Sequence, residues 1–126
     1  MGIYGNAAVF AAQMCCKDSN LSPLTAWINA IANFTESYES RTKNCPRGAF
    51  LGLCEVGAVS GIPRGCYNKT KKNKNKDYAL TALNLLKEGA SSNQGKLWNM
   101  VIGSGEKHQN GQMDVVISLW EAALLR

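Results

Sequence analysis

The chain has 126 residues, a mass of 13.6 kDa and a formal net charge of +5 at pH 7. This length suits one domain with one hydrophobic core, which we place at residues 1–126. Because 45% of the residues are hydrophobic, 18% are charged and three are prolines, the composition excludes a wholly disordered chain, a collagen-like chain and a disulfide-dense miniprotein.

The first third of the chain predicts two helices. Apolar residues from Ile3 to Met14 recur at helical spacing, with no β-branched alternation to compete. Ser22 and Pro23 then form a typical helix start, a capping residue followed by proline in the first turn. The apolar stripe of this second helix continues to Phe34.

A third helix is predicted from Cys45-Pro46 to about Val59. Two of its glycines, Gly48 and Gly52, are four residues apart and permit close approach by another helix or by a ligand, of which we favour helix packing. Residues 61–68 contain Gly61 and Pro63 and predict an irregular connection.

Three more helices are predicted in the last part of the chain. The fourth starts at Asp77 and stops at Gly89, and the fifth spans Lys96 to Ile102. After a polar loop, apolar residues from Met113 to Leu124 mark the sixth. The fold class expected is all-α: a compact single-domain array of about six short helices with irregular orthogonal packing.

The pattern of the cysteines indicates the cellular compartment of the protein more than it indicates a disulfide framework or a metal site. Five cysteines at irregular spacing, without a CxxC pair, suit reduced thiols in the cytosol better than a disulfide framework or a zinc site. The first apolar stretch lacks the charged start and cleavage site of a secretory signal, and no apolar run approaches the ~18 residues that span a membrane. We expect a cytoplasmic protein with no membrane contact, no metal and no cofactor.

Charge is concentrated in the middle of the chain. Residues 41–76 hold nine basic residues and one acidic residue, Glu55, a net charge of +8, whereas the remainder carries −3. The basic residues are Arg41, Lys43, Arg47, Arg64, Lys69, Lys71, Lys72, Lys74 and Lys76. We expect Glu55 to pair with a nearby cation.

The lysine-rich part of this region has two interpretations. Around residues 68–76 the sequence is almost wholly Lys and Asn and predicts a basic flexible segment. It either contacts the phosphates of a polyanion such as nucleic acid, or is a solvated linker that keeps the protein soluble.

A local pattern in Glu55–Asn68 resembles the turn and second helix of a helix-turn-helix repressor. Pro63 and Gly65 depart from it, since they fall where the recognition helix should be continuous.

The side chains that favour covalent chemistry are Cys45 and His108. Cys45 is predicted to be the N-cap of the third helix, beside Lys43 and Arg47, and both features favour a thiolate. His108, the single histidine, could supply a base from its polar loop. The alternatives are a capping cysteine and an exposed loop histidine.

Three blocks of sequence carry a resemblance to a family. They are CPRGAFLGLCEVGAVSGIPRG (Cys45–Gly65), Tyr-Ala-Leu at the start of the fourth helix, and GQMDVVISLW (Gly111–Trp120). They resemble those of a family of small uncharacterised bacterial proteins. The resemblance implies a bacterial cytosolic setting and no mechanism, and it directs attention to the Pro-Arg loop and to the His108–Asp114 entry of the last helix.

Three functions of different classes follow from these observations. The first is a non-enzymatic binding module whose basic surface engages a polyanion, most naturally nucleic acid. The second is an assembly protein whose helices contact a protein partner or another copy of the chain, with an incidental basic segment. The third is a Cys45/His108 enzyme.

Overall fold

A computed structural model describes residues 2–68, 72–103, 105 and 107–126, and it confirms the all-α fold class. Within these residues the helices are α1 (Ile3–Lys17), α2 (Pro23–Ile31), α3 (Tyr38–Arg41), α4 (Asn44–Glu55), α5 (Lys74–Lys87), α6 (Gln94–Ile102) and α7 (Gln112–Glu121). The single turn α3 was not predicted. In the described part of the chain, no helix combines the length and apolar character that crossing a membrane requires.

The third predicted helix ends earlier than expected, so its predicted end near Val59 is wrong. Gly57 has a φ of +76°, and its N–H donates to Cys54 O while the N–H of Ala58 donates to Leu53 O. These two bonds form a Schellman motif, which stops α4 at Glu55. Residues 56–68 form turns and an isolated bridge instead of a recognition helix, so the helix-turn-helix interpretation is also wrong.

Other helix boundaries also differ from the prediction: α2 ends at Ile31 rather than Phe34, and α6 starts at Gln94 rather than Lys96. Helix α5 starts at Lys74 rather than Asp77, because the side chain of Asn73 accepts a hydrogen bond from the N–H of Lys76 and caps the helix. Part of the predicted flexible segment is therefore the first turn of a helix, while Lys69 and Lys71 lie outside the described residues. Helix α7 ends at Glu121, followed by Ala123 at a φ of +59°.

Helix α7 lies in the centre of the molecule. Its residues 112–119 are all buried, and it contacts α1, α4, α5 and α6. Stacking of Trp27 on Phe50, with ring centroids 5.5 Å apart, joins α2 to α4. Trp27 and Trp98 are buried in the hydrophobic core.

A buried carboxylate holds α1 against α7. Asp114 accepts hydrogen bonds from the backbone N–H of Gly2 at 2.9 Å and of Gly5 at 2.7 Å. It thereby pairs backbone donors that the first turn of a helix leaves free. The Asp114 carboxylate on α7 thus caps the N-terminus of α1, a role that is usually filled by a side chain at the start of the same helix.

Helices α4 and α5 approach closely along the face of α4 that carries Gly48 and Gly52. A Cβ atom at Gly52 would lie 2.7 Å from the Cα of Lys76, and one at Gly48 would lie 2.8 Å from Asn73 Oδ1. The two glycines therefore permit helix packing. This approach brings the N-terminal ends of α4 and α5 together.

Candidate functional site

A cleft of about 360 Å³ lies where the first turns of α4 and α5 meet the side of α2. We call it the basic cleft. Three of its residues, Asn44, Arg47 and Gly48, are spaced three and four apart in the sequence and so share one face of α4. Residues 72–75 supply the facing side, with Asn68 beside them.

The charge of the basic cleft is positive. Arg47, Lys72 and Lys74 line it, and no carboxylate is among its described lining residues. The N-terminal ends of α4 and α5, both in the lining, add partial positive charge from their helix dipoles. All these contributions favour an anion.

Asparagines hold the cleft in shape. Asn73 donates from Nδ2 to Gly48 O at 2.9 Å while its Oδ1 caps α5, so both ends of this amide are used. Asn75 Oδ1 accepts from Nε2 of the fully buried Gln112 at 3.1 Å. This network assigns the amide orientation and leaves Nδ2 of Asn75 as a donor.

Apolar side chains form one wall of the cleft. Leu24 and Ile28 lie four residues apart on α2, so they share one face of that helix. Leu24 packs against the core, whereas Ile28 is 53% exposed. The cleft therefore combines hydrogen-bond donors, cations and an apolar surface.

The single acid of the basic region is paired internally. Glu55 accepts hydrogen bonds from the backbone N–H of Tyr67 at 2.9 Å, from that of Asn68 at 3.0 Å and from Lys76 Nζ at 3.1 Å. The expectation that Glu55 pairs with a cation is confirmed. Lys76, predicted as a polyanion contact, pairs with this carboxylate and lies outside the lining of the cleft.

The surroundings of Glu55 lower its pKa. Burial opposes ionisation, but the N–H groups of Asn68 and Tyr67 and the Lys76 ammonium outweigh it and hold the pKa below the ordinary 4.5. The contribution of Glu55 to stability is therefore complete above the unfolded-state pKa and is lost as the pH falls through the lower folded-state pKa.

We expect Glu55→Gln to lower the free energy of unfolding by about 2 kcal/mol at pH 7, because the charge-assisted hydrogen bonds that the partly buried carboxylate accepts are weakened. The difference from the wild type should shrink towards pH 3, because the wild-type carboxyl is increasingly protonated as the pH falls towards its lowered pKa. Urea unfolding at both pH values measures it, with the exposed Glu121→Gln as control. A difference of the same size at pH 3 would show that the charge of Glu55 is not the cause.

The other predicted cations that the structure describes lie elsewhere. The guanidinium of Arg41 donates to Glu36 O at 2.8 Å, Lys43 lines a separate cleft beside Tyr4 and Gln94, and Arg64 packs over Gly57. Of the seven predicted cations that the structure describes, three line the basic cleft.

Cys45 and His108 are not placed together. The predicted N-cap position of Cys45 is wrong, because Lys43 is the N-cap of α4 and Cys45 lies in the first turn. His108 is exposed and lines a different cleft with Trp98 and Lys107, to which Cys45 does not contribute. All five cysteines are free thiols, and burial raises the pKa of the Cys54 thiol well above its ordinary value.

The model of a family described as "Family of unknown function (DUF6979)" matches residues 1–126. The chain belongs to this family. The resemblance to an uncharacterised family is thereby confirmed. No curated protein and no solved structure matches this DUF6979 chain.

The sequence identifies the cations of the basic cleft, but it does not identify the asparagines and apolar side chains that also line it. A signal for Asn73 was present, because asparagine is a preferred N-cap. Leu24 and Ile28 belong to the apolar stripe predicted for the second helix, and nothing in their spacing distinguishes the wall of a cleft from a buried stripe. In the part of the chain that the structure describes, no group of three or more His, Cys, Asp or Glu residues is arranged to hold a metal ion.

Proposed function

We propose that this DUF6979 protein is a non-enzymatic binding module that contacts the phosphates of nucleic acid at the basic cleft. The observation that carries the proposal is the convergence of Arg47, Lys72 and Lys74, from two separate segments, on a cleft whose described lining has no carboxylate. Guanidinium and ammonium groups are the usual phosphate ligands of proteins.

The distribution of charge along the chain supports a polyanion over a small neutral ligand. Residues 41–76 carry a net +8 in a chain that is otherwise −3, and the single acid among them is already paired with Lys76. Each cation that neutralises a phosphate releases counterions, so the affinity should fall steeply with salt.

Fluorescence anisotropy with a labelled single strand of about 12 nucleotides, at about 50 and about 200 mM salt, tests the proposal. The double variant Arg47→Ala/Lys74→Ala should bind at least about tenfold more weakly at the lower salt. Its slope of log affinity against log salt should be smaller by about 1.4, because each phosphate contact with a single strand contributes about 0.7.

The matched control is Lys87→Ala/Lys96→Ala, which removes the same charge at exposed positions on α5 and α6 away from the cleft. It should keep the wild-type slope. The proposal is wrong if the wild type does not bind at the lower salt. It is also wrong if both double variants lose affinity equally, since net charge alone would then account for binding.

A second proposal is assembly with a protein partner or with another copy of the chain. Large aromatic side chains are exposed at Phe10 (41%) and Tyr38 (78%), and aromatic anchors are common at interfaces. These two residues lie on different helices, α1 and α3. Sedimentation velocity across micromolar concentrations tests assembly with another copy of the chain, which a protein that stays monomeric would contradict.

A further inference from the structure

We infer that the basic cleft takes one unpaired nucleotide of a single strand, so that the protein prefers single-stranded to duplex nucleic acid. This inference rests on the proposed function and adds the class of nucleic acid. It is carried by the shape of the cleft, by its donors and by its apolar wall.

The shape of the site favours an unpaired nucleotide. A volume of about 360 Å³ lies at the lower end of the range for ligand-binding clefts. A duplex keeps its bases stacked inside and is read by elements that protrude into its grooves. A concave site receives a base only where that base can be splayed out from the strand.

The polar groups of the cleft are complementary to a nucleotide. Arg47 and Lys74 are donors only, and Nδ2 of Asn75 is left as a donor because its Oδ1 is already bonded to Gln112. Phosphate oxygens and the ring nitrogens and carbonyls of bases are acceptors. A donor-rich cleft therefore matches both parts of a nucleotide.

The apolar wall supplies a surface for the base. Ile28 is 53% exposed on α2, whereas Trp27 and Ala30 of the same helix are buried. It borders the same cleft as Arg47 and Lys74. A base whose phosphate lies on those cations can cover Ile28 with its flat face, which removes apolar surface from water.

The test compares a labelled single strand of about 12 nucleotides, as DNA and as RNA, with the corresponding DNA duplex at about 100 mM salt. We expect either single strand to bind at least about tenfold more tightly than the duplex. Ile28→Ala should weaken single-strand binding about fivefold, from the lost apolar contact, without changing the salt slope. The control Met100→Ala removes a side chain of similar exposure, 52%, on α6 and should have no effect.

Two outcomes overturn the inference and leave the proposed function standing: duplex binding as tight as single-strand binding, or equal effects of Ile28→Ala and Met100→Ala. In both cases the salt slope still depends on Arg47 and Lys74. Absence of binding to every strand overturns the proposed function together with the inference. A thermal melt of each variant checks whether the substitutions at the exposed positions 28 and 100 leave the fold intact.

Discussion

Replacing Gly5 with alanine is expected to lower the free energy of unfolding by at least about 3 kcal/mol. The added Cβ would lie 2.5 Å from Asp114 Oδ1 and 2.8 Å from Asp114 O, and it would overlap Ser118 Oγ. The backbone oxygen cannot rotate away, so α1 must move from α7. The N–H of Gly5 then loses its 2.7 Å bond to the Asp114 carboxylate, which is left buried with fewer partners.

Urea unfolding followed by circular dichroism measures this loss, and Gly95→Ala is the matched control. Gly95 is exposed in the first turn of α6, where the nearest atom to an added Cβ, Asn93 Oδ1, is 3.5 Å away. Alanine there should raise stability by about 0.5 kcal/mol, because it restricts the unfolded chain. A Gly5→Ala protein as stable as the wild type would contradict the packing of α1 on α7.

Replacing Gly52 with alanine is expected to cost about 2 kcal/mol and to weaken binding at the basic cleft. The new Cβ would lie 2.5 Å from Lys76 Cβ and 2.7 Å from its Cα, so α4 and α5 must separate. Separation strains the Lys76–Glu55 ion pair one turn away. It also displaces the first turn of α5 from Arg47 on α4.

The same unfolding experiment, together with anisotropy on the single strand, checks both effects of Gly52→Ala. Because Gly52 does not line the basic cleft, loss of affinity would report the spacing of the two helices rather than a lost contact. If stability fell while affinity stayed at the wild-type level, the cleft would not depend on the approach of α4 and α5. Unchanged stability would contradict the close approach itself.

The elements of the fold were predictable where local chemistry fixes them. Ser22 and Pro23 specify the start of α2, and the Ser22 side chain does accept from the N–H of Thr25 at 3.2 Å. The helical periodicity of the last segment is likewise visible in the sequence. The end of α4 was missed although its signal, Gly57 at a left-handed C-terminal position, was present.

The arrangement of the candidate site could not be predicted, because it depends on pairs of residues far apart in the chain. Charge counts identify Arg47 and Lys74 as basic residues but do not show that both line one cleft. They also do not show that Lys76 forms an ion pair with Glu55. The cap that Asp114 provides to α1 joins residues more than one hundred positions apart. Capping of this kind has no local sequence signature.

Backbone amide shifts recorded by NMR during titration with the single strand of about 12 nucleotides, at about 50 mM salt, test the central claim most directly. The structure predicts the largest shifts at Gly48, Lys74 and Asn75, which line the basic cleft. Little change is expected at Gly95 and Leu124, which lie outside that lining. Largest shifts around the His108 cleft or on the C-terminal residues, with Gly48 and Asn75 unmoved, would contradict the assignment of nucleic-acid binding to the basic cleft.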